Sequence, residues 1–205
     1  MYLTKLELML SNPAVRTALQ DGQKMHRLVT GFFGTDRKSA DILYRYRIKG
    51  MLVELYLYSE RPVDLERLVP GIRLVGQRNV NDWLASMESG RVFGFQLMTM
   101  PFKKVAADGT KNSRRRALRT QEERLAWLEH KAQQGGFRIL SVQEIPGEKL
   151  TVAHGEDRGG KMVMDAWRYE GRLLVMDSEA FRQALRAGIG PGKAYGLGML
   201  LLAGG

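Results

Sequence analysis

Residues 42–58 have the sequence ILYRYRIKGMLVELYLY, which contains two strand-like runs that meet at Lys49-Gly50. Aliphatic and aromatic side chains dominate both runs, as is typical of strands, and the glycine between them is typical of a tight turn. We therefore predict a hairpin with strands at 42–49 and 51–58.

The segments on both sides of this hairpin complete a six-element module. The predicted elements are a strand at 2–9, a helix that begins at Asn12-Pro13, a short helix at 62–69 and a strand at 72–75. Gly22 lies inside the first helical pattern and costs about 1 kcal/mol relative to alanine, so we expect that helix to bend or break there. The order β-α-β-β-α-β predicts a ferredoxin-like fold.

The same order repeats in the second half of the chain. The first predicted elements are a strand at 92–100, a helix from the Thr120 cap to about Gln134, and a strand at 137–142. A hairpin follows, formed by the runs 162–169 and 172–176, with its turn at Glu170-Gly171. The last predicted elements are a helix from Asp177-Ser178 to about Gly188 and a strand at 195–202. The sequence therefore predicts an α+β protein of two tandem ferredoxin-like (RRM-like, βαββαβ) domains, 1–78 and 92–205, joined by a linker at 79–91.

The charge of the chain indicates a polyanionic partner. Its 205 residues include 32 Lys and Arg against 22 Asp and Glu, for a formal charge of +10 and a pI near 10.0. Nucleic acid is favoured over a membrane, because no segment has the pattern of a basic amphipathic helix. The absence of cysteine excludes disulfides and thiolate metal sites. With no signal-peptide pattern and no apolar run of about 20 residues, we expect a cytoplasmic protein.

A basic arm spans residues 103–119, between the first strand and the first long helix of the second domain. Its candidate RNA-binding residues are Lys103, Lys104, Lys111, Arg114, Arg115, Arg116 and Arg119. Because like charges repel and apolar residues are few, we expect a mobile, unpacked loop in the protein alone. It is either a solvated surface loop or an arm that binds phosphates and becomes ordered on RNA, and the charge of the chain favours the second.

His26 is the strongest of three candidates for acid–base chemistry. His130 lies on a charge-rich helix and His154 in a turn, so exposure is the simpler interpretation of both. The neighbours of His26 within one helical turn are Gln23, Lys24 and Arg27. The two cations disfavour a charged imidazole and a bound phosphate favours it, a combination suited to proton transfer on RNA near neutral pH. A structural histidine is the alternative.

Glycines crowd a single lysine near the end of the chain. The residues are Gly188, Gly190, Gly192, Lys193, Gly196 and Gly198, followed by the apolar run 199–203. Such a cluster indicates special dihedrals or a close backbone approach, and its lysine indicates a phosphate contact; the alternative is a loose loop. No Walker, dinucleotide or Gly-x-Ser-x-Gly motif and no acidic two-metal motif is present, so we favour a mechanism without metal or cofactor.

Five segments, in this order, resemble the CasE family, the CRISPR-associated endoribonucleases of type I-E systems. The segments are 1–6, 21–29 with His26-Arg27-Leu28-Val29, 42–45, the strand that ends before Pro101, and 188–200. The resemblance covers essentially the whole chain. It implies two ferredoxin-like domains, a glycine-rich tail that packs between them and helps hold the RNA, and a catalytic histidine that corresponds to His26.

The resemblance also implies the reaction and the partners. The expected substrate is a CRISPR repeat hairpin, cut without metal by attack of the upstream 2′-OH to leave a 2′,3′-cyclic phosphate (or 3′-phosphate) and a 5′-OH. His26 would serve as base or acid. The enzyme would keep its product and join the other Cas subunits of the Cascade complex. Lys193 is then a phosphate contact in a scaffold loop, away from the centre of the chemistry.

One position departs from the family pattern. Many members have a tyrosine three residues before the histidine, and this chain has Gln23. Glutamine can donate a hydrogen bond to a phosphoryl oxygen but cannot titrate, so Lys24 or Arg27 would have to supply the missing charge. A non-catalytic RNA-binding subunit of the same fold is therefore the main alternative. A ribosomal or RNA-chaperone role is disfavoured by the absence of an RNP-like aromatic motif.

Overall fold

The computed structural model describes residues 1–34, 41–106, 113–153 and 161–204, and its first domain is a four-stranded antiparallel sheet. The elements are β1 (Tyr2–Met9), α1 (Pro13–Leu19), α2 (Gly22–Gly31), β2 (Leu43–Lys49), β3 (Leu52–Ser59), a 3₁₀ turn (Leu65–Arg67) and β4 (Ile72–Asn79). The strand order β2-β3-β1-β4 is that of a ferredoxin-like fold. The predicted hairpin is confirmed, with Gly50 at a φ of +60° in its turn.

The first predicted helix is broken into α1 and α2, as expected at Gly22. The Asp21 side chain caps α2 by accepting hydrogen bonds from the backbone N–H groups of Gln23 at 2.7 Å and Lys24 at 3.4 Å. A second helix therefore begins where glycine weakens the first.

The short helix predicted at 62–69 is wrong, because only Leu65–Arg67 form a single 3₁₀ turn. Asp64 caps this turn by accepting from the Glu66 N–H at 3.0 Å. Pro70 disfavours helical dihedrals in Val69, so the segment cannot stay helical up to that residue.

The second domain repeats the topology of the first. Its elements, with a helix that precedes them, are α3 (Asn81–Ala85), β5 (Val92–Thr99), β6 (Phe102–Ala106), β7 (Ser113–Ala117), α4 (Gln121–Gln134), β8 (Phe137–Ala153), β9 (Lys161–Val175), α5 (Ser178–Ala187), a 3₁₀ turn (Lys193–Tyr195) and β10 (Leu200–Ala203). The order β10-β5-β9-β8 matches the first sheet element for element. The caps predicted at Thr120 and Asp177 are both confirmed.

The hairpin predicted to turn at Glu170-Gly171 is wrong, because β9 runs straight through these residues and pairs with β8 along its length. Gly171 is needed for close packing: a Cβ there would lie 1.9 Å from the carbonyl oxygen of Ser141, where the register with β8 shifts. Strand β8 (Phe137–Ala153) is also much longer than the predicted strand at 137–142, because it pairs with β9 along its length.

The basic arm is a two-stranded ribbon, so the expectation of an unpacked loop is wrong for β6 and β7. The backbones of Lys103 and Arg116 are paired, as are those of Lys104 and Arg115. Charge repulsion is offset at the base of the ribbon by Glu123, whose carboxylate lies 3.1 Å from the Lys103 Nζ. Residues 107–112, which include the candidate Lys111, lie outside the described residues.

Two hydrophobic cores hold the domains together. The first lies between the sheet of the first domain and helices α1 and α2. The second fills the other domain and also takes in Met1, Leu43 and Tyr58 from the first. The first sheet is therefore packed on both faces. In the parts of the chain that the structure describes, no helix has the length and apolar character to cross a membrane.

Candidate active site and nucleic-acid interface

Helix α2 carries His26 to the boundary between the domains. Met25 and Val29 of this helix are fully buried in the first core, which fixes the orientation of the helix. His26 itself is half-buried. The same helix contacts the 3₁₀ turn Lys193–Tyr195 and strand β8. The histidine thus lies where the glycine-rich tail meets both domains.

His26 lines an open cleft of about 500 Å³. Four ionisable side chains share this cleft with it: Asp41, Glu60, Arg186 and Lys193. Asp41 lies just before β2, Glu60 just after β3, Arg186 in the last turn of α5, and Lys193 in the tail. An imidazole beside two cations can transfer a proton while the cations stabilise charge on a phosphoryl group.

The tail holds Lys193 in this cleft through contacts to both domains. The buried Tyr44 hydroxyl of β2 donates a hydrogen bond to the carbonyl of Ala194 at 2.8 Å. Burial raises the pKa of Tyr44, so the hydroxyl stays protonated and remains a donor. On the other side, the Gly198 N–H donates to the carbonyl of Met98 in β5 at 2.7 Å.

Close packing explains the glycines of the tail. Gly190 has a φ of +81°, and a Cβ there would lie 2.4 Å from the Thr99 Oγ1. Gly198 has a φ of +83°, and its Cβ would lie 2.8 Å from the carbonyl oxygen of Ile189. Both the backbone conformation and the space exclude a side chain at these positions.

The structure brings some of the predicted site residues together and leaves others apart. His26 and Lys193 share the cleft, although the sequence suggested that the tail lies away from the chemistry. Lys24 and Arg27 are exposed, and Gln23 is partly buried. Among the described residues, these three are not in the lining of the His26 cleft.

Arg186, Glu60 and Asp41 are the ionisable cleft residues that sequence reasoning missed. Arg186 occupies the last turn of α5, where a cation complements the helix dipole, so it looked like an ordinary surface residue. Its position just before the glycine-rich tail was the one available signal. Nothing local to Glu60 indicates that it lines the same cleft as His26.

The ribbon presents its described cations to solvent. Lys104, Arg116 and Arg119 are exposed. Glu123 accepts hydrogen bonds from the Lys103 Nζ and the Arg119 N–H, both at 3.1 Å, and these donors lower the pKa of its carboxyl group. The backbones of Arg114 and Arg115 belong to β7. The ribbon is therefore a preformed basic surface of the kind that binds polyanions.

A buried ion pair attaches the ribbon to the sheet. Arg124 of α4 makes two 2.8 Å hydrogen bonds to the carboxylate of Glu144 in β8, and Tyr169 donates to the same carboxylate at 3.0 Å. The Arg124 Nη1 also donates to the carbonyl of Arg119 at 2.6 Å, and its guanidinium lies 3.5 Å from the centre of the Trp167 ring. The base of the ribbon is thereby held in one orientation.

The remaining histidines lie away from this cleft. His130 is exposed on α4, as the sequence predicted, and His154 lies outside the described residues. Within the described ranges, no three His, Asp or Glu side chains form a group that could hold a metal ion.

Comparisons with known proteins give matches along the whole chain. A family model described as CRISPR associated protein matches residues 1–204. The CRISPR-associated endoribonuclease Cse3 of Thermus thermophilus is 32% identical over 228 residues, covering 99% of this chain and 100% of that protein. A structure of CRISPR endoribonuclease Cse3 bound to a 19-nucleotide RNA matches with a TM-score of 0.88 and 30% identity, over 99% and 100% of the two chains. A chain of a CRISPR RNA-guided surveillance complex in a pre-nicking state matches with a TM-score of 0.77 and 25% identity, over 100% of both.

Proposed function

The chain belongs to the CRISPR associated protein family, and on this basis we propose that it is an endoribonuclease that cleaves precursor CRISPR RNA within the repeat, beside its hairpin. The observation that carries the proposal is the cleft in which His26 lies with the cations Arg186 and Lys193. Proton transfer and stabilisation of phosphoryl charge are the two things that cleavage of an RNA strand needs from a protein.

In the proposed reaction, the 2′ oxygen upstream of the cut bonds to phosphorus as the bond to the 5′ oxygen breaks. The 2′-OH loses a proton and the 5′ oxygen gains one, leaving a 2′,3′-cyclic phosphate and a 5′-OH. His26 carries out one of these transfers, a contribution of roughly 10²–10⁴-fold in rate. Lys193 and Arg186 stabilise the negative charge on the phosphoryl oxygens, and Gln23 acts at most by positioning.

Binding of the repeat is assigned to the basic ribbon and the tail. Duplex RNA hides its base edges in a deep, narrow groove, so a hairpin is recognised by its shape and its phosphates. The described cations of the ribbon, Lys103, Lys104, Arg116 and Arg119, are the proposed stem contacts, together with Lys111, Arg114 and Arg115 of the same arm. Gly188, Gly190, Gly196 and Gly198 form the scaffold that presents Lys193.

The proposal extends to the setting of the reaction. A similar chain forms part of a CRISPR RNA-guided surveillance complex. We therefore propose that this protein keeps its cleaved RNA and assembles with other Cas subunits of Cascade. The proposed location is the cytoplasm, where a precursor transcript is made.

The test is incubation of the protein with its cognate repeat RNA in EDTA. We expect one cut beside the hairpin, which is lost when the nucleotide upstream carries a 2′-deoxy group. His26→Ala should lower the single-turnover rate by at least roughly 10²-fold. His130→Ala is the matched control, because it removes an exposed histidine outside the cleft and should cleave like the wild type.

Two results would contradict the proposal. Equal cleavage by the wild type and His26→Ala would remove the histidine from the mechanism. Tight binding of the repeat by the wild type without any cleavage would instead identify a non-catalytic RNA-binding subunit, which the glutamine at position 23 makes the second candidate.

A further inference from the structure

A second cleft, of about 250 Å³, opens between the two sheets. Its lining includes Arg45, Tyr46 and Arg47 of β2, Arg168 of β9, Gly147 of β8, and Tyr195 and Gly196 of the tail. The tail therefore borders both clefts, since the preceding residues, Lys193 and Ala194, line the His26 cleft. We refer to the second cleft as the arginine pocket.

Arg45 is the unusual residue of this pocket. Arg45 is only 6% exposed. Its buried Nη1 has no hydrogen-bond acceptor among the described residues. Burying a charged N–H donor without an acceptor is unfavourable. An arginine that binds nothing would be more stable in an exposed position, where water satisfies its N–H groups.

The neighbours of Arg45 increase this cost. Burial, followed by the positive charge of Arg168, lowers the pKa of Arg45 to about 10, and Arg47 acts in the same direction. Glu170 is the acid that opposes them. Its carboxylate is already engaged, lying 3.1 Å from the Arg168 Nε and accepting a hydrogen bond from Gln96. The carboxylate that opposes the positive charge around Arg45 is thus already shared with Arg168 and Gln96.

We propose that the arginine pocket binds a backbone phosphate of the RNA, at a position separate from the scissile phosphate in the His26 cleft. A phosphate accepts two parallel hydrogen bonds from a guanidinium fork, and its charge offsets the repulsion between Arg45 and Arg168. The shared tail gives one RNA strand access to both clefts. This inference rests on the proposed function, because that function supplies the anion.

The test uses Arg45→Gln and Arg168→Gln, with Arg138→Gln as a matched control that removes one exposed arginine outside the pocket. The ligand is repeat RNA with a 2′-deoxy group at the cleavage site, titrated over a range of salt concentrations. Each pocket variant should bind roughly ten-fold more weakly than the wild type and lower the slope of log K against log salt by about 1. Arg138→Gln should bind like the wild type.

A second measurement separates this inference from the proposed function. Inorganic phosphate, compared with chloride at equal ionic strength, should raise the melting temperature of the wild type, and Arg45→Gln should lose this rise. Without phosphate, Arg45→Gln should melt at or above the wild-type temperature, because it removes a buried positive charge that Arg168 repels. The phosphate measurement remains informative even if the wild type neither binds nor cleaves the repeat, which would be a failure of the proposed function alone.

The outcomes are distinct. If phosphate stabilisation is lost in Arg45→Gln while RNA affinity and salt slope are unchanged, the pocket takes a free anion and the assignment to RNA is overturned. If both pocket variants match the wild type in both measurements, the pocket is no phosphate site.

Discussion

Replacing Glu144 by alanine should destabilise this protein far more than most single substitutions do. The Arg124–Glu144 pair is almost completely buried, with side-chain exposures of 7% and 3%. It is also bidentate, with two hydrogen bonds of 2.8 Å. Removing the carboxylate leaves the guanidinium charged in the interior and deprives the Tyr169 hydroxyl of its acceptor.

The expected loss follows from this geometry. Breaking one side of a buried pair costs about 3–5 kcal/mol in free energy of unfolding. For a chain of this size, each kcal/mol shifts the melting temperature by about 2–4 °C, so Glu144→Ala should melt about 6–20 °C below the wild type. Replacing both partners with apolar residues, Arg124→Met with Glu144→Leu, should restore most of the loss, because no buried charge is left unpaired.

Urea and thermal unfolding of Arg124→Met, of Glu144→Leu and of the double variant give the coupling energy, and the same measurements on Glu144→Ala give its loss. Glu179→Ala is the matched control, since it breaks another Arg–Glu pair, at 2.9 Å from Arg182, in which the glutamate side chain is 66% exposed. An exposed pair contributes about 0.2–1 kcal/mol. If Glu144→Ala costs no more than this control, the buried pair does not hold α4 against the sheet, and the reasoning is refuted.

Three further changes test the tail and the ribbon. Tyr44→Phe removes the 2.8 Å hydrogen bond to the carbonyl of Ala194, so it should cost about 1 kcal/mol in urea unfolding and slow single-turnover cleavage by loosening Lys193. Gly190→Ala should lower the free energy of unfolding by more than about 1 kcal/mol, because its φ is +81° and the new Cβ meets the Thr99 Oγ1. Replacing residues 114–116 by alanine should weaken binding of the repeat and reduce the salt slope by up to about 3, as measured by titration at several salt concentrations.

For each of these changes, one outcome would contradict the prediction. Wild-type cleavage by Tyr44→Phe would mean that the tail keeps its position without the tyrosine. Normal stability of Gly190→Ala would mean that β5 and the tail can move apart without a loss in free energy of unfolding. An unchanged salt slope would mean that the three arginines of the ribbon are solvated surface residues that do not contact the RNA.

Local signals predicted most of the fold. The caps at Thr120 and Asp177 lie within a few residues of the N–H groups that they bind, so the sequence alone locates these helix starts. Gly171 was misinterpreted because a glycine that permits close packing and a glycine that permits a turn look alike in sequence. Only the structure distinguishes them, because a Cβ on Gly171 would lie 1.9 Å from the carbonyl oxygen of Ser141.

The sequence by itself predicted the two ferredoxin-like domains and the basic character of the chain, because periodicity, capping and composition act over short distances along the chain. His26 was chosen as the catalytic candidate through the family resemblance, and its role stays a prediction. Only the tertiary structure decided which cations meet this histidine, Arg186 and Lys193, and that Arg45 is buried beside Arg168. These groupings join strands, helices and a tail that are far apart in sequence. They depend on how two sheets pack against each other, and no local pattern records that packing.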